Sequence, residues 1–318
     1  MIFYSLSSNN NVFLMLIIAL LTMTSCEEEF TPPVVEGADA IVVEGYIEAG
    51  DRPTPPYVVL TKSFPFFSKL SQDDLNNSFV RGAEVVISDG EKEVTLTEIC
   101  LDEIPDEFKE QVGAFLGIST DSLGFNFCAY IDINSSMPGE EGKTYTLSIK
   151  TADNQLLTAS TSIPFAIPLD TIFFQPPPGE ESDTLAQLII RLTDPANEAN
   201  FYRYYTQVDD GPLARPFDSV TDDELFDGQV FEFPLAKAEP FDGDFDQVTF
   251  GLFRLETQAT IKWMTINEEH FNFWNTLEFS RANQGPFSSY TRIEHNIEGG
   301  LGIWGGIAAR YYEREVGF

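Results

Sequence analysis

The fold class is decided by the stretch GAEVVISDGEKEVTLT, which covers residues 82–97. Residues 85–88 and 93–97 are rich in β-branched side chains, which favour strands. Between them lies Asp89-Gly90, a pair that supplies the positive φ angles of a tight hairpin turn. The stretch therefore predicts two antiparallel strands joined by a hairpin.

Similar strand-forming runs flank this hairpin. Residues 40–47 and 57–62 precede it, and residues 145–150 and 156–163 follow it, with turn residues between the runs. Short strands at regular spacing with turn signals between them are typical of an immunoglobulin-like sandwich. The sequence therefore predicts an immunoglobulin-like β-sandwich over residues 40–166, closed by prolines at its end.

The remainder of the chain, residues 167–318, also predicts mainly β structure. One helical signal stands out, because Thr265 and Glu268 fit a capping box and an apolar stripe continues to about Arg281. We interpret the stripe as core packing. This half is expected to be a mostly antiparallel β domain with one helix. Its predicted strands cover residues 185–192, 201–208, 230–235, 248–255 and 257–264.

The chain begins with an uncharged apolar run, residues 12–23, that ends at Thr24-Ser25-Cys26. About a dozen apolar residues fit the core of an export signal but are too few to span a bilayer. A cysteine that follows small residues at this position is typical of a bacterial lipobox, in which the cysteine is acylated and inserts into membrane lipid. We therefore predict a lipoprotein signal peptide at residues 1–25, lipidation of Cys26 and a lipidated tether at residues 26–39. An ordinary secretory signal with a chance cysteine is the alternative.

The charge composition excludes one class of partner. The chain has 51 acidic and 18 basic residues, a formal net charge of −33, and none of these residues lies in the first 25. A surface of this charge repels nucleic acid and anionic lipid head groups. Apolar residues make up 43% of the chain, which is ample for packed cores. We expect a folded, acidic, exported protein that does not bind nucleic acid.

Two cysteines remain after Cys26 is assigned to lipid, and they are Cys100 and Cys128. Cysteines in an oxidising compartment more often pair than not, so we predict a disulfide between them. Residues 105–117, between the two, show helical spacing of apolar side chains and predict a short helical insertion stapled by the disulfide. A metal site is disfavoured because the sequence has two histidines and no CxxC or HxxxH spacing. A free cysteine nucleophile with a distant histidine is an alternative that no motif supports.

A glycine-rich segment near the C-terminus contains Gly300-x-Gly302-x-x-Gly305, formally a dinucleotide-binding pattern. That pattern works between a strand and a helix, with an acidic residue about twenty positions later, whereas a strand is predicted after it here. We therefore reject nucleotide binding and expect that the glycines let the backbone bend or pack closely beside Trp304 in a last, bulged strand. The alternative is that Trp304, Gly300 and Gly302 line a ligand or partner surface flanked by His295.

Acidic residues cluster at two places, in residues 218–227 and at Asp242, Asp244 and Asp246. The second cluster offers oxygen ligands of the kind that calcium prefers, but the residue order of an EF-hand is absent. We expect solvated loops and no cofactor or metal. Calcium at Asp242, Asp244 and Asp246 is the alternative.

Catalytic motifs are scarce in this sequence. Gly-x-Ser-x-Gly is absent, and His270, beside Glu268 and Glu269, is interpreted as a surface residue of the predicted helix. Paired carboxylates for glycoside hydrolysis are defined by their distance in space, which the sequence does not encode. We therefore expect a protein that is not an enzyme.

Several short motifs follow one another in an order that resembles a known family. They are the acids after Cys26, VVEGYI at residues 42–47, LTKS at 60–63, GAEVVISDG at 82–90, GKTYTL at 142–147 and NIEGGLG at 296–302. This order resembles the Bacteroidota outer-membrane lipoproteins grouped as domain-of-unknown-function family 4249, from about residue 26 to the end. The resemblance implies an outer-membrane lipoprotein, often encoded near TonB-dependent receptors, and it brings no catalytic residues. The acids after Cys26 also resemble surface-export signals, which imply a body outside the cell; a periplasm-facing body is the alternative.

The anchor, the two β domains and the resemblance together favour one functional hypothesis. We expect a non-enzymatic accessory or ligand-capture subunit that is associated with a TonB-dependent transporter. One alternative is a surface hydrolase that acts on glycan or peptide. Another is a structural or adhesive surface lipoprotein.

Overall fold

Alternation of buried and exposed side chains defines the strands of the first half. In β7 (Thr144–Lys150) and β8 (Leu156–Ser162) every second side chain is buried, as in a sheet with one face in a core. The predicted hairpin is present as β3 (Glu84–Ser88) and β4 (Glu93–Thr95), with Gly90 at φ +91° in its turn. The hairpin predicted from the sequence is therefore confirmed.

The computed structural model describes residues 40–64, 71–105, 109, 125–179, 182–239, 246, 248–283 and 291–318. The other strands in these residues are β1 (Ile41–Gly50), β2 (Tyr57–Lys62), β5 (Thr97–Cys100), β6 (Cys128–Ile131), β9 (Thr171–Gln175), β10 (Leu185–Thr193), β11 (Phe201–Val208), β12 (Val220–Asp222), β13 (Val230–Leu235), β14 (Phe253–Arg254), β15 (Gln258–Ile266) and β16 (Leu301–Glu315). The helices bounded there are α1 (Gln72–Asn76), α2 (Glu268–Ala282) and a 3₁₀-helix (Leu101–Glu103).

These strands form three sheets. The largest has eight strands in the order β12-β11-β15-β16-β1-β2-β6-β5, with β1 parallel to β16 and the other neighbours antiparallel. A four-stranded sheet has the order β4-β3-β7-β8, and in a third sheet β10 pairs with β9, β13 and β14. The predicted mainly-β class with few helices is confirmed.

The last strand, β16, contacts three hydrophobic cores. Trp304 and Ala308 belong to the core between the large sheet and the β4-β3-β7-β8 sheet. Further along the same face, Tyr312 packs against the core that contains β10. Ile303 and Ile307 alternate with these residues and lie in a third core on the opposite face, which α2 covers. The chain end therefore links the packing of both halves.

The large sheet contains strands from both sides of the boundary predicted between residues 166 and 167. Strands β1, β2, β5 and β6 precede that boundary, and β11, β12, β15 and β16 follow it. All the described residues belong to one compact unit. The pairing of β1 with β16 joins the first described strand to the last.

Two local predictions are wrong. Of the strand predicted at residues 248–255 only β14 forms, because Asp246 accepts hydrogen bonds from the backbone N–H of Val248 (3.0 Å) and the hydroxyl of Thr249 (3.1 Å) and starts a turn. Helix α2 is capped by Asn267 and not by Thr265, since the Asn267 side chain accepts a hydrogen bond from the backbone N–H of residue 270 (3.0 Å).

Several predicted features lie outside the described residues. They include the signal peptide at residues 1–25, Cys26 and the tether up to residue 39. The helical insertion at residues 105–117 is also outside them, apart from Pro105 and Lys109. Within the described ranges, no helix has the length and apolar character needed to cross a bilayer.

The predicted disulfide between Cys100 and Cys128 is confirmed. The two residues are direct partners in the pairing of β5 with β6, and both are buried. They enclose residues 101–127, a segment that leaves and re-enters the large sheet at adjacent strands. The bond therefore holds the two ends of that insertion together.

We expect the double variant Cys100→Ser/Cys128→Ser to lose about 3–4 kcal/mol of unfolding free energy, because the unfolded chain gains the entropy of the opened loop. Urea denaturation of the exported protein measures this loss. Reduction of the wild-type protein should give the same midpoint as the double variant. A variant with the wild-type midpoint would contradict the prediction.

Candidate functional site

Helix α2 covers one face of the large sheet and carries most of the candidate site. Its side chains Phe271 and Trp274 are buried in the third core against β15 and β16. The helix approaches the sheet closely at Gly305, where an added Cβ would be 2.7 Å from Nδ1 of His270. Because Gly305 has no side chain, the imidazole can lie directly on the strand.

His270 is fully buried, so its interpretation as a surface residue is wrong. Its Nδ1 lies 3.3 Å from the carbonyl oxygen of Gly306, and its Nε2 lies 3.4 Å from Nη1 of Arg203. Burial, followed by the charge of Arg203, lowers the pKa of His270 to about 3. A neutral imidazole with the proton on Nδ1 satisfies both contacts, since Nδ1 then donates to Gly306 and Nε2 accepts from Arg203.

Arg203 is 1% exposed although it is charged. Its guanidinium lies 3.7 Å from the ring centroid of Trp274, and its Nε donates to the hydroxyl of Ser219 (3.3 Å). Two buried donors here, Nη2 of Arg203 and Nε1 of Trp274, have no acceptor among the described residues. The buried network therefore has more donors than acceptors.

Glu278 is the carboxylate of this network and is 6% exposed. It accepts hydrogen bonds from the backbone N–H (2.9 Å) and the hydroxyl (2.6 Å) of Ser219. It also accepts from Nη1 of Arg215 at 3.3 Å. Ser219 thus connects Glu278 to Arg203, and α2 is held to the segment before β12.

The network opens into a cavity of about 340 Å³ beside the C-terminal half of α2. Among the described residues it is lined by Arg215, Phe217, Glu278 and Arg281. We call it the arginine cavity. Phe217 is 51% exposed and forms an apolar part of its wall.

The arginine cavity is locally positive in a strongly acidic chain. Burial, followed by the charge of Arg281, lowers the pKa of Arg215, and Arg203 adds to this effect while Glu278 opposes it. The charges of Arg281 and Arg203 therefore both act on Arg215, beside the carboxylate of Glu278. Such an arrangement favours a negatively charged partner.

Comparison with known proteins gives a family but no activity. Residues 27–312 match the family described as a domain of unknown function, DUF4249. The chain belongs to this family. No curated protein and no solved structure matches the chain. The function of this DUF4249 chain must therefore be argued from its own residues.

The glycine-rich segment of the DUF4249 chain forms the start of β16. Trp304 is fully buried, and its Nε1 donates to the carbonyl oxygen of Tyr145 at 3.1 Å. Gly302 has φ +107° and lies opposite Val43 in the parallel pairing with β1. Trp304 thus belongs to the core between the large sheet and the β4-β3-β7-β8 sheet, Gly302 lies against β1, and neither residue lines the arginine cavity.

The other two residues of the predicted ligand surface lie just before β16. Gly300 packs against Leu157, and an added Cβ would be 2.4 Å from that side chain. His295 is partly buried, and its Nδ1 has no partner among the described residues. Neither residue lines the arginine cavity.

The calcium candidates are only partly described. Asp242 and Asp244 lie outside the described residues, and Asp246 caps the turn before β14. A different trio, Asp194, Asp223 and Asp227, brings carboxylate oxygens within 4.8 Å of one another. Their protein partners are the hydroxyl of Tyr202 and the backbone N–H groups of Gly228, Asn200 and Asn197.

A second buried ion pair lies on the same face of the large sheet. Nζ of Lys262, on β15, is 2.7 Å from Oε2 of Glu48, on β1. The hydroxyl of Thr54 donates to the same oxygen at 3.1 Å. The pair spans β16, which lies between β1 and β15, and both side chains are less than 10% exposed.

Sequence reasoning missed the arginine cavity entirely. Its residues come from a loop near 215 and a helix near 278, and Arg203 comes from β11, so no local spacing connects them. One signal was present in the sequence. Arg203 interrupts the aromatic strand FYRYYTQV, and a charged side chain in such a strand needs polar or aromatic partners if it is buried.

Proposed function

We propose that this protein is a lipid-anchored outer-membrane protein that captures ligand for, or assembles with, a TonB-dependent transporter, and that it does not catalyse a reaction. The proposed lipid anchor is supported by the sequence around Cys26 and by the family resemblance. The body, which begins at Ile41, would be carried on the tether of residues 26–39. We favour a surface-exposed body because of the acidic residues that follow Cys26.

One observation carries the binding part of the proposal. The arginine cavity combines guanidinium groups with an exposed aromatic ring, which are groups that recognise ligands. Its carboxylate, Glu278, is engaged by Ser219 and Arg215, and the nearby His270 is buried and neutral. Both groups therefore serve to hold the site together, and this favours binding over acid–base chemistry.

Co-purification from the native host tests the proposal. A tagged wild-type chain is recovered from outer membranes in mild detergent and compared with Cys26→Ala, which removes the acylated residue. Thr31→Ala, in the same tether, is the matched control that keeps the lipobox. We expect a TonB-dependent receptor to be enriched with the wild type and with Thr31→Ala and to be lost with Cys26→Ala.

The other outcomes point to the alternatives. Recovery of the wild type without a stoichiometric membrane partner would overturn the transporter association. If Cys26→Ala remains in the outer membrane as fully as the wild type, the lipid anchor is wrong. Turnover of a glycan or peptide substrate by the purified protein would replace binding with hydrolysis.

A further inference from the structure

We infer that the arginine cavity binds a small organic carboxylate that carries an apolar body. This inference names the ligand class of the site and rests on the proposed function only for its biological role. The cavity volume of about 340 Å³ falls at the lower end of the range for small-molecule sites. A compact metabolite-sized ligand therefore fits better than a polymer chain.

The charge of the cavity selects an anion. Arg215 and Arg281 line the cavity with the one carboxylate of Glu278, and Arg203 lies close enough to act on Arg215, so among the described residues the cavity is positive although the whole chain carries −33. Glu278 is already held by Ser219 and Arg215. Arg281 lies in the last turn of α2 and forms no ion pair with any described residue, so its guanidinium is available to an incoming carboxylate.

The hydrogen-bonding balance points in the same direction. Nη2 of Arg203 and Nε1 of Trp274 are buried donors without an acceptor in the described part of the chain. A buried donor without a partner costs about 1–3 kcal/mol. Arg203 and Arg215 both lie over the ring of Trp274, at 3.7 Å and 5.4 Å from its centroid, and Arg215 lines the cavity. A carboxylate bound beside Arg215 would add acceptors and negative charge next to this donor-rich network.

The wall of the cavity indicates the rest of the ligand. The ring of Phe217 is half exposed at the cavity although a phenyl ring is more stable when it is buried. An aromatic or aliphatic body would cover this ring. Glu278 in the cavity wall repels a bound anion. A singly charged carboxylate is repelled less than a doubly charged phosphate, so the site suits a carboxylate better.

Calorimetric titration of the wild-type protein, purified from outer membranes in mild detergent, tests the inference. The probe is 3-phenylpropionate, and the neutral comparison is 3-phenylpropionamide, which has the same shape without the charge. We expect saturable one-to-one binding of the acid and binding of the amide that is weaker by about tenfold or more, the effect of losing one charge-assisted hydrogen bond.

Three variants locate the site. Arg281→Gln should weaken binding of 3-phenylpropionate about tenfold or more, and Phe217→Ala should weaken it for both probes. Arg314→Gln removes an exposed arginine from the end of β16 and should leave affinity unchanged. Thermal unfolding of each variant without ligand shows that it is folded.

Each contrary result overturns the inference. Equal binding of acid and amide, or unchanged affinity in Arg281→Gln, would show that this site does not recognise a carboxylate. Inorganic phosphate that binds more tightly than the acid would assign the site to phosphate. If no probe binds at millimolar concentration, the site is not a carboxylate site, and this result leaves the co-purification test unaffected.

Discussion

Lys262→Met is expected to lower the free energy of unfolding by about 3–5 kcal/mol, because it leaves the carboxylate of Glu48 buried without a cation. The Glu48 side chain is 2% exposed and cannot turn to solvent without moving β1. Thr54 would remain as its hydrogen-bond donor, and Oε1 already has no partner among the described residues. Urea denaturation at neutral pH measures the loss.

Two further variants separate the buried charge from packing. Glu48→Leu/Lys262→Met removes both charges and should recover most of the stability, since a buried ion pair adds little over apolar residues of similar volume. Lys150→Met, at an exposed position on β7, should change stability by less than about 0.5 kcal/mol. If the double variant is as unstable as Lys262→Met, the charge of Glu48 is not the cause.

The effect of Lys262→Met should depend on pH in one direction. Burial alone would lower the pKa of Lys262, but the charge and hydrogen bond of Glu48 outweigh it, and the pKa is raised. The pair therefore contributes stability that is complete below the unfolded lysine pKa of about 10.4 and is lost as pH rises through the folded value. The difference between wild type and variant should be constant between about pH 7 and 9 and shrink at more alkaline pH.

Gly302→Ala is the second substitution for which a large effect is expected. An added Cβ would lie 1.9 Å from the carbonyl oxygen of Val43, and the backbone φ of +107° is unfavourable for any side chain. The clash is with the backbone of β1, which must shift away from β16. We expect a loss of about 4 kcal/mol or more in unfolding free energy, measured by urea denaturation.

A matched glycine separates the two causes of this loss. Gly90, in the β3–β4 turn, has φ +91° but no atom within 4 Å of an added Cβ. Gly90→Ala should therefore cost only the backbone strain, about 1–3 kcal/mol. If Gly302→Ala costs no more than Gly90→Ala, the close approach of β1 to β16 is not what requires glycine at this position.

The local structure could be predicted from the sequence, because it is encoded by adjacent residues. The turn at Asp89-Gly90 and the alternation in β7 and β8 are short-range patterns, and the structure contains each of them. The pairing of Cys100 with Cys128 was also predictable, since the prediction that Cys26 is lipidated leaves two cysteines and one pairing. The turn and the alternation are sufficient to predict the mainly-β class without any long-range contact.

The pairing of strands that are distant in the chain has no comparable signal in the sequence. Nothing near residues 41–50 indicates that β1 pairs in parallel with a strand that begins at Leu301, because the hydrogen bonds involve backbone groups common to all residues. His270 is polar and lies between acidic neighbours, which predicted a surface position. It can be buried because Gly305 leaves room for it, and burial, followed by the charge of Arg203, lowers its pKa so that the imidazole is neutral.

The candidate site could not be predicted for the same reason. Arg215 and Glu278 are 63 residues apart in sequence, and the fold of α2 over the large sheet brings them within 3.3 Å. The glycine-rich segment was the more conspicuous motif, but its glycines let strands and a helix approach β16 closely. The glycine-rich motif in this chain thus marks close packing, whereas the candidate ligand-binding residues are arginines that belong to no motif.

The mass of the solubilised complex tests the proposed association most directly. The tagged wild-type protein is released from host outer membranes in mild detergent and measured by native mass spectrometry. We predict a species whose mass equals one copy of this chain, acylated at Cys26, plus a TonB-dependent receptor. A spectrum that contains the lipidated protein alone, under conditions that preserve other outer-membrane complexes, would contradict the account.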